Sequence, residues 1–212
     1  MNAKIFPLIV SLSFSSWSLS HASVTSIPTW SYSGGIYCYA PVLSTDSGTG
    51  AQSVSVNGTQ SGPGSMGLSI LTDTPSDPTI TINESIDNDS SFNWTGYDLN
   101  VSMDQSFSID SAGVIAPSGW TATITAPGGP VNGIYTGTID FAGGTPVGIY
   151  PGPDSTLDFG YAVTFAGATQ YSLTESASPV PEPGAFSLLM AVGPLIGGWM
   201  VAKRRSVRRA TF

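Results

Sequence analysis

Residues 157–165 read LDFGYAVTF, and this stretch gives the clearest indication of the fold. Its large apolar side chains occupy every second position: Leu157, Phe159, Tyr161, Val163 and Phe165. Successive side chains of a β-strand point to opposite faces, so this spacing places all five on one face of a strand. The stretch therefore predicts a strand that buries one face in a core.

The same alternation recurs along the chain, in residues 51–60, 66–73, 78–86, 97–103, 120–126, 132–141 and 169–175. Gly, Pro, Asn and Asp separate these runs, and Asn57-Gly58 and Asn132-Gly133 are predicted to form turns. About eight short strands joined by such turns predict a mainly β domain, an antiparallel β-sandwich. A barrel-like arrangement is the second possibility.

Both ends of the chain have the patterns of targeting segments. Residues 1–22 contain Lys4, an apolar run and then Ser20-His21-Ala22, which is the pattern of a signal peptide cleaved after Ala22. The predicted secreted domain then spans residues 23–178, and a C-terminal signal spans 179–212. An uncleaved N-terminal anchor is the alternative.

The charge distribution excludes one class of function. The chain has 6 Lys and Arg against 14 Asp and Glu. All the cations lie before residue 5 or after residue 202, while every acidic residue except Glu182 lies within 23–178. An acidic surface without cations repels phosphate backbones, so we expect no nucleic-acid partner.

The reactive side chains of the predicted domain argue against an enzyme. Nucleophilic catalysis by Ser or Cys needs a nearby base, but residues 23–178 contain neither His nor Lys. A glycoside hydrolase built on two carboxylates remains an alternative, although no spacing identifies such a pair. Cys38 is interpreted as a small buried side chain, with an intermolecular disulfide as the alternative.

A cluster of oxygen ligands suggests the only metal site. Asn83, Glu84, Asp87 and Asp89 lie close together in sequence, and Ca²⁺ prefers carboxylate and amide oxygens. The segment lacks the glycine and the spacing of an EF-hand loop. A solvated turn rich in Asn and Asp is the alternative, because these side chains bond to their own backbone.

The C-terminal signal has three parts in order: Val180-Pro181-Glu182-Pro183, an uncharged run over 184–202, and a basic segment over 203–209. Nineteen residues of helix match the thickness of a bilayer core, which predicts a transmembrane helix. The basic residues, including Arg204 and Arg205, would hold its end in the cytoplasm.

This tail resembles the PEP-CTERM sorting signal of Gram-negative bacteria, which is also described as an "ice-binding protein C-terminal" domain without implying any contact with ice here. The resemblance implies that Pro181, Glu182 and Pro183 are recognised by an exosortase, a membrane transpeptidase-like enzyme. It also implies a link to exopolysaccharide and biofilm. Residues 82–103, INESIDNDSSFNWTGYDLNVSM, are similar to a segment of many PEP-CTERM ectodomains.

Together these features predict an exported, non-enzymatic protein of the extracellular matrix. It would be anchored through the C-terminal span and, after processing, lie at the cell surface. Two alternatives are a permanently anchored protein and a carbohydrate-binding module. The second alternative requires an exposed tryptophan among Trp30, Trp94 and Trp120.

Overall fold

The computed structural model describes residues 22–76 and 78–183, and these form ten β-strands. The strands are β1 (Val24–Cys38), β2 (Val42–Thr45), β3 (Gln52–Thr72), β4 (Thr79–Asn88), β5 (Trp94–Met103), β6 (Phe107–Ile115), β7 (Thr121–Thr125), β8 (Tyr135–Val147), β9 (Thr156–Phe165) and β10 (Gln170–Pro181). The prediction of a mainly β domain is confirmed.

The strands form one sheet in the order β6-β9-β4-β3-β10-β5-β8-β7, with β1 and β2 paired to β3. β3 is 21 residues long and connects two halves of this sheet. Its first part pairs with β4 at Gln52–Gln60, and its second part pairs with β10 at Gly64–Leu71. Between these parts, where β3 contains Gly62-Pro63-Gly64, the pairing of β3 with β1 shifts register between Gly34 and Ile36.

The two halves face each other and enclose the core. Phe159 of β9 has its ring centroid 5.2 Å from that of Tyr97 on β5 and 5.2 Å from that of Phe141 on β8. β6, at one end of this order, also approaches β8, the second strand from the other end, since a Cβ built on Gly137 of β8 would lie 3.0 Å from Cδ1 of Ile109 on β6. The sheet is therefore nearly closed.

Residues 157–165 lie within β9, as their alternation predicts. In β9 the five alternating side chains are all at most 3% exposed. Burying a side chain of this size stabilises the fold by roughly 1.5–3 kcal/mol. The core also contains aromatic residues from the opposite half, including fully buried Trp94, Tyr97 and Tyr171.

Two details differ from the sequence predictions. β3 and β4 run parallel, so the sheet is mixed rather than purely antiparallel. The predicted turn at Asn57-Gly58 is wrong, because β3 continues through it. Gly58 instead allows close approach of β1, since a Cβ there would lie 2.4 Å from the carbonyl oxygen of Tyr37.

The second predicted turn is confirmed. Asn132 and Gly133 have φ of 53° and 81°, and Val131 and Ile134 bridge across them. Positive φ at both central residues is the requirement of a two-residue hairpin turn, which Asn-Gly meets with little strain. This turn leads into β8.

Residues 22–76 and 78–183 include no helix that is both long and apolar enough to cross a membrane. The predicted span 184–202, the basic segment with Arg204 and Arg205, and residues 1–21 of the predicted signal peptide lie outside the described residues. β10 continues three residues beyond Ser178, the predicted end of the domain, to Pro181.

Candidate functional site

Two glutamates from opposite halves of the sheet meet in the interior. Glu84 lies on β4 and Glu175 on β10, and they are only 4% and 2% exposed. Each is in phase with the apolar residues of its strand, so the alternation that buries the core also turns these carboxyls inward. A side-chain hydrogen bond joins them.

Polar groups from other strands surround this pair. The Tyr161 hydroxyl of β9 donates a hydrogen bond to Oε1 of Glu175. The Tyr97 hydroxyl of β5 donates to Oε1 of Gln60 over 2.6 Å. Oε1 of Glu84 is buried and has no hydrogen-bond partner within the described part of the chain. We call Gln60, Glu84, Tyr97, Tyr161 and Glu175 the interior cluster.

The environments of Glu84 and Glu175 determine which of the two carboxyls is protonated. Burial raises the pKa of Glu84 well above its usual range, and the charge and hydrogen bond of Glu175 raise it further. Burial also raises the pKa of Glu175, but hydrogen bonds from Glu84 and Tyr161 oppose this. Glu84 therefore holds the proton, and Glu175 is the carboxylate that accepts hydrogen bonds.

The same environment suppresses the reactivity of the neighbouring groups. Burial, together with the charges of Glu84 and Glu175, raises the pKa of the Cys38 thiol to about 12. Burial and both carboxyls also raise the pKa of the Tyr97 hydroxyl. Thiolate is the nucleophilic form of cysteine, so Cys38 is an inert buried side chain in this fold.

The burial of the pair limits its access to a substrate. A general acid or base must reach the substrate within hydrogen-bond distance. Glu84 and Glu175 lie inside the nearly closed sheet, and Glu84 lines a depression of about 330 Å³ that also includes Asn83 and Asp158. A second cleft of about 330 Å³ contains Asp154 and Asp158, beside Trp120.

The structure does not bring the predicted calcium ligands together. On β4, Glu84 points inward, whereas Asn83 and Asp87 lie at alternate, half-buried outer positions. Asp87 accepts a hydrogen bond from Oγ1 of Thr156 at 2.6 Å, and Asp89 is exposed beyond the strand. Within residues 22–76 and 78–183, no three His, Cys, Asp or Glu side chains are grouped as metal ligands. Calcium binding stays a prediction.

The residue that organises this segment is Asn88, which is fully buried at the end of β4. Its amide nitrogen donates to the carbonyl oxygens of Phe92 and Val147, at 2.9 and 3.2 Å. Its Oδ1 accepts hydrogen bonds from the backbone N–H and the hydroxyl of Ser90. The Asn- and Asp-rich stretch is thus a structural turn that connects β4 to β5.

The predicted sorting motif begins on the sheet. Pro181 is the last residue of β10 and pairs with Trp94 of β5. The backbone N–H of Glu182 donates to the carbonyl of Asn93 at 3.2 Å, and its Oε1 accepts from Nδ2 of Asn93 at 3.4 Å. Pro183 is the last described residue.

The predicted cleavage site is also close to the sheet. Ala22 is buried just before β1, and the backbone N–H of Ser23 donates to Oδ1 of Asp73 at 2.7 Å. Cleavage after Ala22 would leave a free amino group at Ser23, beside this carboxylate.

Of the three tryptophans within residues 22–76 and 78–183, one is exposed. Trp30 on β1 is 44% exposed, whereas Trp94 and Trp120 are 0% and 7% exposed. Tyr32, Tyr37 and Tyr39 are also exposed on or just after β1, with ring centroids 4.9 Å apart for Tyr32–Tyr37 and 5.4 Å apart for Tyr37–Tyr39. Because β1 pairs only with β3, these rings lie along a free edge of the sheet.

The outer surface beside this edge is lined by small polar side chains. Two rows of residues cross the paired strands β1, β3, β10, β5 and β8 in register, and together we call them the hydroxyl face. The first row is Ser31, Gly67, Thr174, Ser102 and Thr136, and the second row is Ser33, Ser65, Ser176, Asn100 and Thr138. No member is charged, and neighbouring hydroxyls bond across strands at 2.8 Å for Ser33–Ser65 and 3.0 Å for Ser102–Thr136.

Comparison with known proteins adds no assignment: no family model, curated protein or solved structure matches this chain.

Proposed function

We propose that this chain is a secreted, surface-sorted and non-enzymatic protein of the extracellular matrix, associated with biofilm and processed at a PEP-CTERM signal. The observation that carries the proposal is the continuity between the folded domain and the motif. β10 ends at Pro181, and Glu182 is bonded to Asn93, so the motif directly follows the last strand without an intervening linker.

In this proposal the domain is delivered to the membrane by its signal peptide and held there by the span 184–202. An exosortase-type enzyme recognises Pro181, Glu182 and Pro183 and releases the domain to the cell surface of a Gram-negative bacterium. The basic residues, including Arg204 and Arg205, hold the tail in the cytoplasm until then.

The finer description of the fold belongs to the same proposal. The two facing halves of the sheet, connected by β1 and β3, form the layers of a β-sandwich, and the parallel pairing of β3 with β4 is its one departure from an antiparallel arrangement. A domain with a single buried core suits a matrix component.

The non-enzymatic role is supported by the position of the reactive groups. The thiol and the two interacting glutamates are buried, and the cation-free exterior consists largely of Ser and Thr hydroxyls along the strands. The glycoside hydrolase alternative would use the cleft with Asp154 and Asp158. Permanent anchoring is the other alternative.

A carbohydrate-binding role is favoured by a specific observation, the exposure of Trp30 at the free edge of the sheet. Aromatic rings with a few convergent polar groups are typical of ligand sites. This role is compatible with a matrix protein, since an exopolysaccharide would be the binding partner.

The test is to express the full chain in a producer with and without its exosortase and to label surface-exposed protein. We expect surface display with the enzyme and retention in the membrane fraction without it. Glu182→Ala should also be retained, while Glu84→Gln serves as the matched control. Equal distribution in both strains would contradict processing and leave permanent anchoring.

A further inference from the structure

Pro181 and Glu182 are held against the start of β5. Pro181 pairs with Trp94, and its carbonyl oxygen accepts a hydrogen bond from Oγ1 of Thr95 at 3.3 Å. The backbone N–H of Glu182 donates to the carbonyl oxygen of Asn93 at 3.2 Å, and its Oε1 accepts from Nδ2 of Asn93 at 3.4 Å. We call Asn93, Trp94 and Thr95, with these contacts, the motif clamp.

The clamp engages the polar groups of the predicted motif. Proline has no backbone N–H, so Glu182, between Pro181 and Pro183, has the single N–H of the motif. This N–H, the glutamate carboxylate and the carbonyl of Pro181 are groups by which a partner recognises an extended peptide. All three are already bonded to Asn93 or Thr95. A recognising enzyme therefore has to displace the clamp before it can make these contacts itself.

The core fixes the clamp in position. Trp94 is fully buried, and its Nε1 donates a hydrogen bond to Oγ of Ser90 at 3.0 Å. The Ser90 hydroxyl donates to Oδ1 of the buried Asn88, whose amide nitrogen donates to the carbonyl oxygen of Phe92 at 2.9 Å. The residues on both sides of Asn93 are therefore anchored, and the groups that contact the motif project from a fixed backbone.

The residues of β10 that precede the motif lead directly onto the clamp. Pro179 is buried opposite Tyr97, and Val180 lies opposite Gly96. A Cβ built on Gly96 would lie only 3.1 Å from Cβ of Val180, so the two strands approach closely at this point. Because pairing with β5 continues to Pro181, an enzyme can reach both edges of the motif only when the end of β10 separates from β5.

We propose that the motif clamp is an autoinhibitory contact, by which the folded domain withholds its own sorting motif until the end of β10 detaches from β5. This inference rests on the proposed function, because it takes Pro181, Glu182 and Pro183 as the motif that the processing enzyme recognises. The enzyme then processes a chain readily before its domain has folded and slowly once the clamp has closed. The closed clamp thus sets how long a folded domain stays anchored to the membrane.

The clamp can open without unfolding of the domain. The three hydrogen bonds that Asn93 and Thr95 make with the motif have lengths of 3.2, 3.3 and 3.4 Å, and they lie at the end of a strand. Strand ends open locally at a lower free energy than the core. When opening and closing are fast relative to cleavage, the rate of processing follows the open fraction. Weakening the clamp should therefore accelerate processing.

Pulse-labelling of the full chain, in a producer that has its exosortase, measures how fast the tail is removed. Asn93→Ala deletes one side-chain contact of the clamp and should be processed about fivefold faster than the wild type, equivalent to about 1 kcal/mol for one hydrogen bond. A short Gly/Ser linker inserted between Val180 and Pro181 moves the motif off the clamp and should accelerate processing at least as much. Adding Asn93→Ala to the insertion should then change nothing. Asn100→Ala, on the same strand but away from the motif, is the matched control and should be processed at the wild-type rate.

Hydrogen exchange separates opening of the clamp from unfolding of the domain. The probe is the full chain, purified in mild detergent from a strain without the enzyme. The amide of Glu182 should exchange faster in Asn93→Ala than in the wild type, while the amides of β9 stay equally protected. Equal exchange at Glu182 in the two proteins would overturn the inference, and so would an equal loss of protection in β9, which indicates unfolding.

The processing rates distinguish this inference from the proposed function. If the wild type, Asn93→Ala and the insertion variant are all processed at the same rate, the clamp is refuted and sorting at the motif stands. If none of the three is processed, the proposed function fails and this inference fails with it. A further acceleration by Asn93→Ala in the insertion variant would show that Asn93 acts other than through the clamp, which also overturns the inference.

Discussion

The protonated Glu84 should make the domain more stable in acid than at neutral pH. Burial raises the pKa of Glu84 in the folded state well above the usual glutamate value of about 4.5. A carboxyl with a raised folded pKa contributes stability that is fully present below the unfolded pKa. That stability is lost as pH rises through the folded pKa. Glu84→Gln keeps the shape and a donor for Glu175 but removes the ionisation.

The expected change in the free energy of unfolding with pH corresponds to the titration of one proton, the one on Glu84. Between pH 4.5 and the raised pKa of the folded state, the native chain holds one proton more at Glu84 than the unfolded chain. The free energy of unfolding then falls by about 1.4 kcal/mol per pH unit. Other acidic residues add to the slope of both proteins, so the difference between wild type and variant is the quantity to measure.

Urea unfolding followed by tryptophan fluorescence, at half-unit steps upward from pH 4.5, measures this difference. We expect the stability of Glu84→Gln to fall less steeply than that of the wild type, by about one proton. Glu182→Gln, outside the interior cluster, is the control and should run parallel to the wild type. Parallel curves for wild type and Glu84→Gln would refute the assignment of the proton.

Three further outcomes are expected. Fragment 22–183 should unfold at a higher urea concentration than fragment 22–178, because Pro179 is buried and β10 pairs with β5 up to Pro181. Equal urea midpoints for the two fragments would mean that this pairing does not contribute to stability. Cys38 should resist iodoacetamide until the chain unfolds, since its pKa is about 12, and mass spectrometry of native and urea-treated protein would detect early labelling. Asn88→Ala should lower the free energy of unfolding by at least about 1–3 kcal/mol, because buried hydrogen-bond partners lose their contacts, and an unchanged urea midpoint would contradict this.

The sequence predicts the class of fold because alternation is a local property. The alternation of β9 was sufficient to identify its buried face, and Asn132-Gly133 was sufficient to identify a hairpin. The parallel pairing of β3 with β4 could not be predicted, since it depends on how distant strands assemble. The turn predicted at Asn57-Gly58 is wrong, because Gly58 allows β1 to pack closely and does not form a turn.

The burial of the two glutamates of the interior cluster could be predicted from the alternation of residues in their strands. Glu84 is in phase with Ile82 and Ile86, and Glu175 is in phase with Leu173, so strict alternation places both inward. The two glutamates lie close together because β4 and β10 face each other across the core. This arrangement of distant strands cannot be read from a local sequence pattern.

The intact mass of the mature protein, purified from a producer that has its exosortase, tests the central claim most directly. The account predicts an N-terminus at Ser23 and a C-terminus at or just after the Pro181–Pro183 motif, which removes the signal peptide and the span together. A protein in the cell envelope whose mass extends to Phe212 would contradict processing of the sorting signal.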